Sequence, residues 1–260
     1  MQPLNVHFLP ALMNPANLEG GTVVIIDILR ASSTIITALH NGAIRVIPCG
    51  TPNEARKIRE QSPAEAVLLG GERGGVLIEG FDCGNSPTEY APGRVAGKTI
   101  AFTTTNGTQA LLKSAAAETI LIGAFINRQA VIDRLHADQR PVHLVCAGTD
   151  GEITGEDVLF AGAVVEALQH MDAETHSIAQ RWLRNDCARI AQSFWRQSVG
   201  DTSIAGDAGN LSARIESAMR VTNGGRNLCD LGYDNDIRLC SMVDCFGHVP
   251  MLNRASGDLS

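Results

Sequence analysis

The chain has 260 residues, of which 44% are hydrophobic and 19% are charged, and its formal net charge is −7 at pH 7. This composition is typical of a globular protein and excludes intrinsic disorder, a collagen-like chain and a coiled coil. There is no apolar run of membrane-spanning length, no signal-peptide pattern over residues 1–20 and no basic stripe, so we expect a cytoplasmic protein that binds neither membranes nor nucleic acid.

Short apolar segments alternate with helical patterns through the first two-thirds of the chain. Strands are predicted over 22–27, 44–48, 66–69, 99–103, 119–123 and 142–147, and helices over 32–40, 52–61, 107–117, 128–137 and 156–171. Buried strands that alternate with helices indicate a parallel sheet with helices on both faces. We therefore predict an α/β fold with three α/β/α layers and a mainly parallel central sheet.

The pattern becomes more helical beyond residue 172. We predict helices over 177–197 and 211–220, edge strands over 236–241 and 249–252, and a loop or hinge over 200–209. No internal repeat and no low-complexity linker divides the chain. The prediction is one compact domain over 1–260, in which any change of subdomain falls near 172–210.

The seven cysteines are scattered and form no Cys-x-x-Cys motif. A disulfide framework or a zinc site is therefore not expected. The seven histidines are equally dispersed. His248 is the one histidine considered as a possible functional residue, and the sequence assigns it no role.

Polar residues follow four of the predicted strands at the point where each strand ends. These segments are DILRASST (27–34), GGERGG (70–75), TTTNGT (103–108) and CAGTDG (146–151). Ligands of open α/β sheets bind beyond the carboxyl ends of the strands, so we expect these segments to form one site. Ordinary turns explain the glycines and asparagines of any single segment. They do not explain acidic and arginine residues at several strand ends.

The segment 103–108 has the composition of an anion cradle, because it combines hydroxyl groups with the start of a helix. The candidate phosphate- or sulfonate-binding residues are Ser33, Thr103, Thr104, Thr105, Asn106, Gly107 and Thr108. The alternative interpretation of this segment is a strand end followed by a turn and a helix cap. For Asp27 and Arg30 the alternative is a structural ion pair, and for Glu72 and Arg73 it is a mobile hairpin.

Carboxylates outnumber soft ligands at these strand ends, and carboxylate oxygens suit Mg²⁺. The candidates are Asp27, Glu72, Glu79, Asp82, Asp150, Glu156 and Asp157, the last two of which could also be acids at a helix start.

Several known motifs are excluded. Position 29 is Leu, where a haloacid-dehalogenase-type phosphatase has a second Asp, and the chain has no Walker P-loop, no Gly-x-Gly-x-x-Gly after the first strand and no Gly-x-Ser-x-Gly.

Five stretches of the chain resemble the 2-phosphosulfolactate phosphatase family. They are residues 27–34, 70–75, 79–87, 103–108 and 146–151, in the family's order over nearly the whole chain. The resemblance implies an α/β/α fold and a Mg²⁺-dependent phosphatase that converts 2-phosphosulfolactate to sulfolactate and phosphate, a step of coenzyme M biosynthesis. The alternatives are a phosphatase or lyase for another small phosphorylated acid, or a non-catalytic anion-binding protein.

On that resemblance, the catalytic residues are Asp27, Arg30, Glu72, Arg73 and Asp150. Arg30 and Arg73 would clamp two anionic groups of the substrate, and Mg²⁺ would lie on some of Asp27, Glu72 and Asp150. Two mechanisms stay open: attack by water at the metal with Asp27 or Glu72 as base, or attack by Asp27 to form an aspartyl-phosphate. We also expect a homo-oligomer, from the general frequency of such assemblies.

Overall fold

The computed structural model describes residues 1–63, 65–174, 182–200 and 208–260. The strands in these ranges are β1 (Gln2–His7), β2 (Thr22–Ile26), β3 (Arg45–Pro48), β4 (Val67–Arg73), β5 (Val76–Leu77), β6 (Thr99–Thr103), β7 (Thr119–Gly123), β8 (Val142–Cys146) and β9 (Trp182–Arg184). The α-helices are α1 (Ala31–His40), α2 (Pro52–Glu60), α3 (Pro92–Val95), α4 (Gly107–Lys113), α5 (Arg128–Ala137), α6 (Gly155–Glu174), α7 (Asp186–Val199), α8 (Ala208–Arg220), α9 (Asn223–Asp230) and α10 (Asp234–Cys240).

The described strands form two sheets. The first is entirely parallel, with the order β7-β2-β8-β1-β9. The second has the order β3-β6-β4-β5 and is parallel except for the short β4–β5 hairpin. The predicted α/β class and mainly parallel central sheet are thus confirmed, whereas the second sheet was not predicted. Strand patterns in a sequence show which segments are buried but not which strands pair.

The central strands β2, β6 and β8 are buried along their whole length. Their apolar, often β-branched sequences favour strands with both faces covered. Helices α6 and α7 pack against strands of the first sheet, α2 packs against β4 and β6, and α1 touches both sheets. Helix α1 therefore lies where the two sheets meet.

Asn185 fastens the start of α7 to the edge of the first sheet. Its side chain caps the helix by accepting the N–H of Ala188, and its amide also pairs with both backbone groups of Val6 in β1. The neighbouring Trp182 in β9 is fully buried. This edge of the sheet is therefore covered by a short strand and a capped helix, which limits edge-to-edge pairing.

Several predicted elements of the C-terminal part were wrong. Residues 236–241 are not an edge strand, because Ile237 and Cys240 are buried at helical spacing within α10. Residues 182–184 of the predicted helix 177–197 form β9, and 249–252 form isolated bridges only. β1 was not predicted. Residues 201–207 of the predicted loop or hinge lie outside the described residues, as does much of the predicted subdomain change near 172–210.

The C-terminal segment 250–259 connects the two sheets. The carbonyl of Pro250 accepts the N–H of Ile122 in β7, while Leu259 exchanges two backbone hydrogen bonds with Val46 in β3. Leu259 is fully buried. An edge strand of each sheet is thus held by one stretch of chain. None of the described helices combines the length and hydrophobicity needed to cross a membrane.

Candidate active site

A cavity of about 660 Å³ lies at the carboxyl ends of strands from both sheets. The first sheet contributes Asp27 after β2 and Asp150 after β8, and the second contributes Glu72 in β4 and Thr105 after β6. The predicted strand-end segments therefore meet at one cavity, which is where ligands of open α/β sheets bind. The lining residues with polar or charged side chains are Asp27, Arg30, Glu72, Asn85, Thr105, Asn106, Thr149, Asp150, Glu152, Thr154, Asn223, Arg226, Asn227 and Asp230.

Asp27 is a buried carboxyl group on the cavity wall. Its Oδ1 accepts the N–H of Ala31 at 3.2 Å, and its own N–H donates to Ser32 Oγ. Burial raises the pKa of Asp27 to about 7, and the negative charges of Glu72 and Glu156 add to that increase. Asp27 can therefore exchange a proton near neutral pH.

Arg30 is held rigidly in the cavity wall. Its Nη1 lies 2.6 Å from Asp236 Oδ2, with both side chains 3% exposed, and its Nη2 donates to the carbonyl of Gly75. The guanidinium stacks on the ring of Tyr233 at 4.2 Å, and Ser86 Oγ donates to the other oxygen of Asp236. Arg30 is thus both a structural ion pair and a lining residue of the cavity.

Glu72 connects two loops of the site. Its two carboxylate oxygens accept the N–H of Gly75 and the N–H of Thr105, each at 2.8 Å. These bonds fix the β4–β5 hairpin, in which Glu72 pairs with Leu77. Hydrogen bonds of Glu72 therefore hold the hairpin that the alternative interpretation treated as mobile, and Glu72 both lines the cavity and shapes it.

Arg73 does not line the cavity. Its guanidinium donates to the carbonyl of Glu72 and to Thr103 Oγ1. Successive residues of a strand point to opposite faces, so a neighbour of Glu72 in β4 faces away from the site. The structure thus separates Arg73 from the anion-binding position that was expected for it.

The predicted anion cradle divides into lining and supporting residues. Thr105 and Asn106 line the cavity, and Thr105 Oγ1 is buried without a hydrogen-bond partner. Thr103 accepts a bond from Arg73, and Thr108 Oγ1 accepts the N–H of Thr104. The other candidate residues of the cradle do not line the cavity and lie behind its wall. They are Ser33, Thr103, Thr104, Gly107 and Thr108.

A side chain at Gly107 would run into the site, because a Cβ atom there would lie 2.8 Å from Asp27 Oδ2. Ser33, in α1, donates instead to the carbonyl of Ile28 in the loop between β2 and α1. In the loop 103–108, the side chains that line the cavity are therefore those of Thr105 and Asn106, rather than a row of hydroxyl groups.

Asp150 is an exposed residue at the rim, and its N–H donates to Asn106 Oδ1 at 3.1 Å. In the described part of the chain, no three His, Cys, Asp or Glu side chains come together as a metal site. The predicted metal ligands Asp27, Glu72 and Asp150 line one cavity without forming a preassembled cluster. The donor set nevertheless suits Mg²⁺, which binds through one or two carboxylates with water and substrate oxygens.

Two further acids lie behind the cavity at the start of α6. Asp157 accepts the N–H groups of Ile28 and Gly148, at 2.9 and 3.0 Å, and so connects the ends of β2 and β8. Glu156 has a buried Oε2 without a hydrogen-bond partner. Burial raises the pKa of both carboxyl groups, and the negative charge of Glu156 contributes to the raised pKa of Asp27.

Asn85 and Arg226 are among the polar residues of the cavity that the sequence did not single out. Asn85 is 6% exposed, and its Oδ1 is buried without a hydrogen-bond partner. It lies within the stretch 79–87 that carried the family resemblance, and that stretch was the signal that could have identified it. Arg226 lies on α9, in a segment with no recognisable chemical motif.

Comparison with known proteins identifies the family of the chain. A family model described as 2-phosphosulpholactate phosphatase matches residues 7–255. A "Probable 2-phosphosulfolactate phosphatase" of Caldanaerobacter subterraneus subsp. tengcongensis is 38% identical over 241 residues, which cover 92% of this chain and 91% of the relative.

Two further relatives with the same name cover similar shares. The one from Thermotoga petrophila is 40% identical over 90% of each chain, and the one from Synechococcus sp. (strain CC9605) is 40% identical over 95% of each chain. The chain therefore belongs to the 2-phosphosulfolactate phosphatase family.

Proposed function

We propose that this protein is a phosphoric monoester hydrolase that converts 2-phosphosulfolactate to sulfolactate and phosphate, with Mg²⁺ as cofactor, as in coenzyme M biosynthesis. The observation that carries the proposal is the cavity at the strand ends, where Asp27, Glu72 and Arg30 face one ligand-sized space. The family match over residues 7–255 supports the same substrate class.

The charges of the cavity support the need for a cation. Five carboxylates line it (Asp27, Glu72, Asp150, Glu152 and Asp230), against the guanidinium groups of Arg30 and Arg226. Arg30 is already paired with Asp236. A substrate with phosphate, carboxylate and sulfonate groups would meet net negative charge there, so binding requires a cation held by Asp27, Glu72 or Asp150. When bound, Mg²⁺ offsets negative charge on the phosphoryl group.

Asp27 accepts the proton of the attacking water in the mechanism that we favour. Its carboxyl group lines the cavity, and its pKa of about 7 suits proton transfer near neutral pH. Glu72 is less suited to this role, because both of its oxygens already accept backbone N–H groups. Arg30 and the Thr105 hydroxyl orient the phosphoryl oxygens, since phosphoryl transfer depends mainly on positioning and electrostatic stabilisation.

The second mechanism uses Asp27 as the nucleophile. The two can be separated by acid quenching of a single turnover with substrate labelled at phosphorus. Covalent label that stays on the protein, and that is lost in Asp27→Asn, would replace the direct attack of water with an aspartyl-phosphate.

Phosphate release from 2-phosphosulfolactate and from 2-phospholactate, each with Mg²⁺ and with a chelator, tests the function. We expect metal-dependent release that prefers the sulfonated compound. Equal turnover of both compounds would support phosphatase activity but would contradict the proposed role in coenzyme M biosynthesis. No release from either would favour the alternatives, a lyase or an anion-binding protein.

The cytoplasmic location, the homo-oligomeric state and the absence of nucleic-acid binding stay predictions. The net charge of −7 supports the last of these. Light scattering of the purified protein tests the oligomeric state.

A further inference from the structure

The two arginines of the cavity are held in different ways. Arg30 is buried and paired with Asp236, whereas Arg226 is exposed on the first turns of α9. Arg226 donates to the carbonyl of Val221 and to Asn223 Oδ1, both of which are neutral acceptors. Among the described residues, no carboxylate lies within ion-pair distance of Arg226. None of the described carboxylates therefore neutralises its charge.

The start of α9 forms a polar wall around Arg226. Thr222 caps the helix by accepting the N–H of Gly225, and Asn223, Gly224 and Asn227 line the cavity beside the arginine. Position 224 has no room for a side chain, because a Cβ atom there would lie 1.9 Å from a carboxylate oxygen of Glu156. The helix backbone thus lies close against the acids behind the site.

Helix α9 is also connected to the buried end of the cavity. It leads to Leu231, and a Cβ atom at Gly75 would lie 2.8 Å from Leu231 Cδ1. The carbonyl of Gly75 is the acceptor of Arg30 Nη2. The α9 segment and Arg30 therefore line the same cavity.

The substrate of the proposed function carries three anionic groups: a phosphate, a carboxylate and a sulfonate. At the buried end of the cavity, Arg30 is the only cation among the described lining residues. Arg73, the expected second clamp, is bound to Thr103 instead and does not line the cavity. In the described lining, the only cations are Arg30 and Arg226. The other charged residues on the outer side, Asp150, Glu152 and Asp230, would repel an anion.

We propose that Arg226 binds the sulfonate of the substrate and thereby selects phosphorylated acids that carry a second strong acid group. This inference rests on the proposed function and deepens it. The planar guanidinium presents two parallel N–H donors that match two oxygens of a sulfonate. The surrounding carboxylates add to the selectivity, because an anion that Arg226 does not hold is repelled there.

The test compares Arg226→Gln with Arg56→Gln on two substrates. Arg56 is a matched control: it too bonds to the Asn three residues before it and to a backbone carbonyl, but it lies on α2 outside the cavity. For Arg226→Gln we expect KM for 2-phosphosulfolactate to rise roughly ten- to hundredfold, the range of a lost charge-assisted hydrogen bond. We expect a smaller rise in KM for 2-phospholactate, which lacks the sulfonate but still loses one of the two positive charges that the described lining supplies. Arg226→Lys should retain part of the selectivity, and Arg56→Gln all of it.

An equal loss on both substrates, or no loss on either, would overturn the assignment. Calorimetric binding of sulfolactate and lactate separates this inference from the proposed function, because it needs no turnover. If the wild type releases no phosphate but binds sulfolactate through Arg226, the hydrolase proposal fails and the subsite stands. If Arg226→Gln binds sulfolactate as tightly as the wild type, the subsite is refuted.

Discussion

Replacing Asp236 by Asn removes one charge from a buried ion pair and leaves Arg30 charged in the protein interior. The two side chains are 2.6 Å apart and each is 3% exposed. Losing one partner of such a pair costs about 3–5 kcal/mol, because the remaining charge stays desolvated. Arg30 keeps the carbonyl of Gly75 and the ring of Tyr233. We therefore expect a loss of about 3 kcal/mol, near the lower end of that range.

Helix α10 supplies its own control. Asp234, two residues earlier, also lies 2.6 Å from an arginine, but Asp234 is 55% and its partner Arg220 35% exposed. Water already solvates these charges, so we expect Asp234→Asn to leave stability nearly unchanged. The assay is urea unfolding of both variants at pH 7 and the same salt concentration.

Activity gives a second readout for the same pair. Asp236→Asn should lower kcat/KM, because Arg30 loses the partner that orients it, whereas Asp234→Asn should not. The double variant Arg30→Met with Asp236→Leu should recover most of the stability without the activity, since an apolar pair can replace a buried ion pair. Similar losses of stability in the two single variants would refute the reasoning from burial.

Three further predictions concern the site. Gly71→Ala should lower Tm far more than Gly74→Ala, because both have positive φ but only at Gly71 (φ +138°) would a Cβ atom lie 1.9 Å from the carbonyl oxygen of Thr103. Because the pKa of Asp27 is raised in the folded protein, metal-free wild type should lose stability as pH rises from about 4 to about 7. Asp27→Asn should lose less over that range and be more stable at pH 8, by chemical denaturation. Mg²⁺ should raise the Tm of wild type more at pH 8 than at pH 6, because the ionised Asp27 adds negative charge beside a cation held by the neighbouring carboxylates, and Asp27→Asn should lose much of that increase.

The sequence predicted which segments meet at the cavity better than how their side chains are arranged there. Asp27, Glu72, Thr105 and Asp150 all follow or end strands, and parallel strands bring their carboxyl ends to one edge. No knowledge of strand order was needed for this. The family resemblance added the substrate class, which strand ends alone do not specify.

Side-chain direction was harder to predict. Glu72 and Arg73 are adjacent in the sequence, so both seemed suited to one ligand, but in the extended backbone of β4 they face opposite sides. Arg226 was missed for another reason. Its position depends on how α9 packs over the strand ends, and that packing depends on long-range contacts that no local pattern in the sequence encodes.

The connection between the two sheets has a consequence for how the protein is made. Asp27 lies on one sheet and Glu72 on the other, while the segment 250–259 holds β7 of the first sheet to β3 of the second. During synthesis these strands leave the ribosome well before that segment. Both sheets can therefore form their strand pairs before residues 250–259 are available, but this segment cannot hold their edges together until it has been synthesised. The alignment of the two sheets, and with it that of Asp27 and Glu72, should accordingly follow the formation of the individual sheets.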